Sequence, residues 1–508
     1  MAVTDALCRS FLDLWWHFDP AAATLGGVPG HDGRLGAFDA GSVREHAAAL
    51  RSIAAAVEDL EVEETADEID RTALLDHLRV LLFRFEHEHP YERNPAVWLE
   101  HLITALGGLL SRPADDEDAS ASARERVAAI PGFLRATRKT LRQPPQFLLE
   151  TGLAQLAALP ALLEEVGERF AIATAVEPAA GAIADFRAAL ATITADPDPH
   201  AAAIGEDEVD RRLHYEHASI HNAAEVWRGT LRLAAEVENE VIAFAAAIDP
   251  QHPWQDLFRL LQEESVVWSQ LSGELLEAVE AARDFAEARG LSAVAPPLEV
   301  AQLPAAAAVL EPVACYRPAG MAGRGTLLVA EVDRSVLPWL AVRLGVPGAH
   351  LQRAQSDALS GQVRRHITAA STPTGWGLYA QELMVELGFS AEPESRLMER
   401  VLFLREVHLA IVDLGLHTRQ LTPAEAVEHL LARTPTSREV ALADVRRLAC
   451  RPTSAAAAIL GRQELHRLRD DVRAAQGERF DLDDFHRALF GYGGLPIPLI
   501  RWGMGLDG

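Results

Sequence analysis

The chain has 508 residues, of which 49% are hydrophobic and 24% are charged, so a large packed core is expected and global disorder is excluded. Its formal net charge is −27, and a surface this acidic repels the phosphates of nucleic acids and of anionic membranes. We therefore expect neither nucleic acid nor membrane among its partners.

The N-terminal segment has an amphipathic pattern that includes Asp5, Asp13 and Asp19. It lacks the basic start and the apolar run of a signal peptide, and no stretch approaches the roughly 20 uncharged apolar residues of a membrane span. The three cysteines are far apart and show no C-x-x-C spacing, which excludes a disulfide framework and a zinc ribbon. The sequence therefore predicts a cytoplasmic protein.

Helical periodicity dominates the first part of the chain, as in segments 43–57, 64–85 and 223–247. Two short stretches, 298–302 and 326–332, instead have the character of strands, and helices then resume to about residue 477. We predict a mainly α protein with a small β element, formed by an N-terminal helical lobe over residues 1–290 and a C-terminal lobe over residues 291–508.

Several segments of the second half form an ordered series of motifs. They are Ala-Cys-Tyr-Arg-Pro at 314–318, Val-Pro-Gly-Ala-His-Leu-Gln at 346–352, Thr-Gly-Trp-Gly-Leu-Tyr-Ala-Gln at 374–381, Val-Asp-Leu-Gly-Leu-His at 412–417, Phe-His at 485–486 and Gly-Leu-Pro at 494–496. In order and spacing, this series resembles the bacterial family catalogued as domain of unknown function 885, a helical group related to zinc metallopeptidases. The resemblance covers nearly the whole chain. It implies a two-lobed, gluzincin-like fold with a deep central cleft.

The residues that such a peptidase uses to hold and activate zinc are missing. The resemblance places Arg343 at the first metal-binding His, Leu344 at the general-base Glu and Ala349 at the first His of the His-His pair. Thr374 and Gln381 fall on two expected glutamates. A zinc site needs imidazole or carboxylate ligands, and a permanent guanidinium cation supplies neither. The sequence therefore predicts no zinc peptidase activity and no metal or other cofactor.

Positions that the resemblance assigns to the substrate side are also changed. Ser454 and Ala458 stand for a Gln and a Tyr, and Glu406 and Leu409 stand where a pair of arginines is expected. Scaffold positions such as Pro347 and Gly348 are kept, so the pattern favours a changed function in a preserved fold.

Polar residues remain in the expected cleft and are the candidates for a site. As catalytic groups the sequence suggests His350, Tyr316, Tyr379, His417 and Asp413; as substrate-binding groups it suggests Arg343, Gln352, Trp376, Gln381 and His486. Arg343 would act as an anion anchor. Asp413 and His417 are four residues apart, so on a helix the carboxylate could orient the imidazole as a general base, or both could serve only to end the helix.

His214, His217 and His221 are spaced so that, on one helix, they would share a face and could bind a metal. Three functions therefore stay open. The first is a metal-independent enzyme acting on a small amino-acid- or peptide-derived molecule, plausibly in specialised metabolism. The second is a non-catalytic pseudopeptidase that binds a peptide or protein partner, and the third is a metalloenzyme with relocated ligands. A monomer or a homodimer is expected.

Overall fold

The computed structural model describes residues 3–110, 112, 117–262, 268–291, 295–318 and 324–506. The mainly helical prediction is confirmed over these residues. The first group of helices comprises α1 Val3–Phe18, α2 Pro20–Leu25, α3 Ala40–Glu58, α4 Thr65–Phe83, α5 Pro90–Arg93, α6 Pro95–Leu109, α7 Glu117–Thr140, α8 Gln146–Arg169, α9 Ala173–Leu190, α10 Glu206–His217, α11 Ala223–Ile248, α12 Trp254–Leu261 and α13 Trp268–Ala288. A π-helical turn, Arg84–Glu88, follows α4 directly.

The remaining helices follow the first strand of the sheet. They are α14 Ala305–Ala308, α15 Leu337–Leu344, α16 Ala349–Asp357, α17 Gln362–His366, α18 Ser371–Glu386, α19 Pro393–His417, α20 Pro423–Arg433, α21 Arg438–Cys450, α22 Ser454–Gln476, α23 Leu482–Phe490 and α24 Ile497–Gly503. Short 3₁₀ turns lie at Arg334–Val336 and Gly477–Arg479. Local sequence explains several helix starts: Asn222 and Glu225 form a capping box at α11, and Thr422 and Glu425 form another at α20.

The small β element is a three-stranded sheet of β1 Leu298–Gln302, β2 Ala314–Arg317 and β3 Gly325–Val329 in the order β1-β3-β2. Strand β3 is central, parallel to β1 and antiparallel to β2. It is buried along its length, and its Leu327 and Val329 share a hydrophobic cluster with residues of α13 and α15. Both predicted strands are confirmed, although β3 begins one residue earlier and ends sooner than predicted.

The largest hydrophobic core joins helices from the beginning and the end of the chain. It includes Cys8 and Phe11 of α1, Leu74 of α4, Tyr379 of α18 and Ile500 of α24. Both predicted lobes thus contribute to one core, and the boundary at residue 290 stays a prediction. Helices α18 and α22 cross so closely that a Cβ atom on Gly461 would lie 1.8 Å from the carbonyl oxygen of Ser371, which only glycine avoids.

One buried cation holds the N-terminal loop against the helices. Arg126 of α7 is fully buried and donates hydrogen bonds to the carbonyl oxygens of Arg34, Ala105 and His31 and to the hydroxyl of Thr24. These acceptors belong to α2, to the loop after it and to α6. Because a buried guanidinium requires such partners, Arg126 fixes the position of α2 on α6.

Helix α8 is long and apolar enough to cross a membrane, and among the described residues it is alone in meeting that criterion. Half of its most apolar 18-residue stretch is buried inside the structure, where α8 packs against α6 and α9. This placement is typical of a core helix, so α8 is weak evidence for a membrane span.

Candidate functional site

The predicted anion anchor, Arg343, is already paired. Its Nη1 lies 2.7 Å from Oε1 of Glu406 on α19. Glu406 also lies 3.5 Å from Arg405, and Arg405 contacts Asp444 at 2.5 Å. Asp444 in turn accepts a hydrogen bond from Arg447. We call these five residues the ion-pair chain. Burial alone would raise the pKa of the Glu406 carboxyl, but Arg343 and then Arg405 lower that pKa to about 2.

The side chains around Arg343 do not fit the zinc ion that the sequence resemblance implies. Arg343 and Leu344 provide no ligand atom, and the hydroxyl of Thr374 donates to the carbonyl oxygen of Ala370 at 2.5 Å. Throughout the described ranges, no three His, Cys, Asp or Glu side chains are grouped so that they could hold a metal ion.

His350 and Tyr316, two of the predicted catalytic groups, form a hydrogen-bonded link in which His350 is fully buried and Tyr316 partly buried. The Nε2 atom of His350 lies 2.7 Å from the carbonyl oxygen of Pro296, so Nε2 carries the proton. Its Nδ1 then accepts from the hydroxyl of Tyr316 at 3.0 Å. Burial lowers the pKa of His350 and raises the pKa of Tyr316, so both stay neutral. The link connects β2, α16 and the segment before β1.

Tyr379, His486 and Trp376 form a second buried cluster. The hydroxyl of Tyr379 lies 2.9 Å from Nε2 of His486, and the indole of Trp376 donates to the carbonyl oxygen of Pro347 at 2.8 Å. Burial lowers the pKa of His486 to about 3 and raises the pKa of Tyr379. Neither group is ready to exchange a proton near neutral pH, and the cluster connects α18 with α23.

The two predicted glutamines are buried and already hydrogen-bonded. Gln352 donates to the carbonyl oxygen of Gly493 at 3.0 Å and to Ser356 at 3.1 Å. Gln381 donates to Oε1 of Glu399 at 3.1 Å. Both amides satisfy internal polar groups, which a ligand would have to displace.

Asp413 caps a helix. Its carboxylate accepts the backbone N–H groups of Thr453, Ala455 and Ala456, at 2.8 to 3.1 Å, and so holds the start of α22 against α19. Burial raises the pKa of Asp413 to about 7, although these three donors lower it. The closest approach to His417 is 4.0 Å, beyond hydrogen-bond distance, so the predicted dyad is not formed in this geometry.

His417 instead donates from Nε2 to the carbonyl oxygen of Leu448 at 2.9 Å, and its Nδ1 has no hydrogen-bond partner among the described residues. Burial lowers the pKa of His417 to about 4. The arrangement favours the structural interpretation of this pair over the catalytic one.

The expectation that His214, His217 and His221 share one helical face is wrong. Helix α10 ends at His217 because Ala218 adopts a left-handed conformation with φ 51°. His217 is buried, whereas His221 lies beyond the helix and approaches Glu225. The reversal of the chain after His217 therefore separates the three imidazoles, and no metal site is formed by them.

A cavity away from these residues provides another candidate site. It has a volume of about 550 Å³ and is enclosed by α2, the π-helical turn, α6, the start of α8, residues 201–204, α10 and residues 449–454. None of the ten predicted site residues lines it. The π-helical turn, a rare backbone form that is frequent at functional sites, contributes Arg84, His87 and Glu88. Their spacing of three and four residues, which places them on one face of a helical turn, is the sequence signal for this part of the wall.

Most charges on the cavity wall are already paired. Arg212 holds Glu88 through two hydrogen bonds of 2.8 Å, and Arg451 binds Glu100 at 3.0 Å. The guanidinium of Arg84, in contrast, makes no hydrogen bond or ion pair with any described residue. The wall therefore presents one cation whose donors are not used within the described part of the chain.

The cavity and the Asp413–His417 region are neighbours. Arg212, on the cavity wall, lowers the pKa of His417, and Glu88 raises it, so both charges act on the buried imidazole. Ser454 also lines the cavity, and its hydroxyl is buried without a hydrogen-bond partner in the described residues. The helix start that Asp413 caps thus forms part of the cavity wall.

Comparison with known proteins identifies the family. No curated protein matches the chain. Two solved structures share the fold. A candidate lipoprotein of unknown function from Shewanella oneidensis is 19% identical with a TM-score of 0.76, covering 99% of this chain and 100% of that one. A candidate lipoprotein from Colwellia psychrerythraea is 15% identical with a TM-score of 0.83, and the match covers 99% of this chain and 98% of that one.

Residues 20–504 match the family described as bacterial protein of unknown function (DUF885), and the chain belongs to that family.

Proposed function

We propose that this chain is a metal-independent relative of metallopeptidase-like proteins, and that it binds a small amino-acid- or peptide-derived molecule in the 550 Å³ cavity. The volume lies in the range of small-molecule sites, and charged groups meet apolar surface on its wall. The observation that carries the proposal is this built cavity, which draws its lining from segments as distant as α2 and residues 449–454.

The replacement of the metal site supports the same proposal. A peptidase would need a zinc-bound water and a general base where this chain has Arg343 and Leu344. Arg343 and Glu406 neutralise each other there, so the ion-pair chain performs a structural task. The region around Arg343, where the resemblance places the peptidase cleft, therefore holds helices together, while the 550 Å³ cavity binds the ligand.

A titration of short peptides tests the proposal. Purified protein is treated with a chelator, its metal content is measured, and a set of dipeptides and N-acyl amino acids is titrated by calorimetry. We expect binding that the chelator does not change. Stoichiometric zinc together with loss of binding after chelation would contradict the proposal and favour the metalloenzyme alternative.

A cavity-filling variant shows whether the ligand lies where proposed. Ala202 lines the cavity, so Ala202→Trp should reduce affinity at least tenfold. Ala224 is exposed at the start of α11 and outside the cavity, and Ala224→Trp is the matched control. Equal affinity in both variants would exclude this cavity as the binding site.

Metal-independent catalysis is the second candidate, favoured by the unpartnered hydroxyl of Ser454 on the cavity wall. Incubation of each bound peptide with the protein, followed by mass spectrometry, separates the two functions. Recovery of intact ligand supports binding alone, and a product that disappears in Ser454→Ala supports catalysis.

The cytoplasmic location also stays a prediction. Its test is the distribution of the protein between soluble and membrane fractions of its native cells, and recovery in the membrane fraction would contradict it.

A further inference from the structure

Four arginines line the cavity, and three of them have an acidic partner. Arg212 binds Glu88, Arg451 binds Glu100, and Arg93 lies 3.3 Å from Asp196. In each pair, an acidic side chain of the protein neutralises the arginine, so the arginine attracts an anionic ligand only weakly. Arg84 is the fourth.

Arg84 has an acidic neighbour but no contact with it. Asp19 lines the same cavity, and Arg84 contributes to lowering its pKa, yet no ion pair joins the two side chains. The Asp19 carboxylate instead accepts the N–H of Ala22 at 2.9 Å and lies 3.3 Å from His101. Both contacts are made by Oδ1, and neither side-chain oxygen of Asp19 is paired with Arg84, so the guanidinium of Arg84 keeps its donors for another group.

The π-helical turn explains why Arg84 is held at the wall. Arg84 is its first residue, and Glu88, its last, is fixed by Arg212. His89 follows in a left-handed conformation with φ 47°, which ends the turn. The backbone that carries Arg84 is therefore anchored at its far end, and the guanidinium is presented from a defined position.

We propose that Arg84 binds the free α-carboxylate of the ligand, and that the ligand is a short peptide or an N-acyl amino acid with an apolar side chain. This inference rests on the proposed function. A guanidinium matches a planar carboxylate through two parallel hydrogen bonds. Apolar surface for the side chain comes from Val97, Leu148 and Ile204 on the same wall.

The other charges of the cavity select a carboxylate over a phosphate group. Asp19, Glu88, Glu100 and Glu216 all line the cavity. They balance the four arginines of the lining in formal charge, so no net positive charge of the wall remains to hold a dianion. A single negative charge facing Arg84 is therefore the favoured ligand charge.

The test compares apolar dipeptides that carry a free C-terminal carboxylate with the same dipeptides as C-terminal amides. We expect the acids to bind the wild-type protein about tenfold or more tightly than the amides, because a charge-assisted bidentate contact is lost in the amide. Arg84→Gln should remove most of that difference, and Arg84→Lys should keep part of it. Arg138→Gln removes the same charge from an exposed position outside the cavity and should change nothing.

The outcomes separate the inference from the proposed function. Equal binding of acids and amides to the wild-type protein overturns the role of Arg84 and leaves the cavity as a binding site. Absence of binding by either series, at concentrations up to solubility, overturns both. Circular dichroism and thermal unfolding verify that each variant is folded, and the comparison on the wild-type protein decides the question if Arg84→Gln does not fold.

Discussion

Arg343 Nη1 on α15 lies 2.7 Å from Glu406 Oε1 on α19, and the two side chains are 25% and 14% exposed. The pair continues through Arg405 to Asp444 on α21. Three helices are thus connected by alternating charges that are mostly withdrawn from water. Removal of one member would leave its neighbours as buried charges without a partner. The free-energy cost of such an unpaired buried charge exceeds the net stabilisation that the intact pair provides.

Glu406→Gln should lower the free energy of unfolding by about 3 kcal/mol, because Arg343 and Arg405 lose their shared anion. Urea denaturation measures the change. Glu428→Gln is the control, since its pair with Arg438 is 63% and 65% exposed and should contribute much less to stability. A double variant, Arg343→Met with Glu406→Leu, should recover stability relative to Glu406→Gln; equal loss in both would refute the explanation by unbalanced charge.

Replacement of Arg126 should destabilise the N-terminal region. Arg126→Met leaves one buried and three partly buried acceptors without this donor and buries an uncharged side chain in its place, and we expect a loss of about 3 kcal/mol. Thermal and urea unfolding provide the measurement. Arg124→Met, at an exposed position on the same helix, should stay within about 0.5 kcal/mol of wild type. Similar stability of both variants would show that water replaces the buried guanidinium.

Asp413 should make stability depend on pH. Its folded-state pKa of about 7 lies above the unfolded value of about 3.9, so the folded protein binds the proton more tightly. The stabilisation is complete below pH 4 and is lost as pH rises towards 7, by at most about 1.4 kcal/mol per pH unit for one group.

The measurement is the free energy of unfolding between pH 4 and pH 8 for wild type and Asp413→Asn. Asparagine does not titrate, so the variant should lack this part of the decline with rising pH. An identical pH profile in the two proteins would show that Asp413 is already ionised in the folded protein at pH 4.

Tyr379→Phe should reduce stability without affecting ligand binding. The substitution leaves Nε2 of His486 without its partner, at a cost of about 1–2 kcal/mol. Tyr379 does not line the cavity, so peptide affinity should be unchanged. A tenfold loss of affinity at unaltered stability would instead bring Tyr379 into the site, as the sequence suggests.

Elements with a strong local pattern were predictable. The helical class and the strand at 298–302 follow from periodicity, as do residues 326–329 of the strand predicted over 326–332. The order of motifs indicated the family that the match over residues 20–504 establishes. The end of α10 at His217 was not predictable in this way. Ala218 takes a left-handed conformation with no Gly or Asn to signal it, so the sequence pattern predicts that the helix continues through His221.

The cavity could not be predicted from sequence patterns, for a different reason. Arg84, Arg212 and Arg451 meet across its wall although more than 100 residues separate each from the next in the chain. A local sequence motif cannot show that residues so far apart in the chain lie close together in the fold. Motif positions pointed to His350 and Tyr379, whose hydrogen bonds are satisfied inside the protein, whereas the unpartnered donors of Arg84 became visible only in three dimensions.

The core shared by both ends of the chain bears on how the protein is synthesised. Helix α4 packs against α24, and more than 400 residues lie between the end of one and the start of the other. At about 5–20 residues per second, a ribosome needs roughly 20–80 seconds to deliver α24 after α4 has emerged. Throughout that interval, the apolar surface of α4 that α24 covers in the folded protein stays exposed. We therefore expect chaperones that bind nascent polypeptides to bind the growing chain.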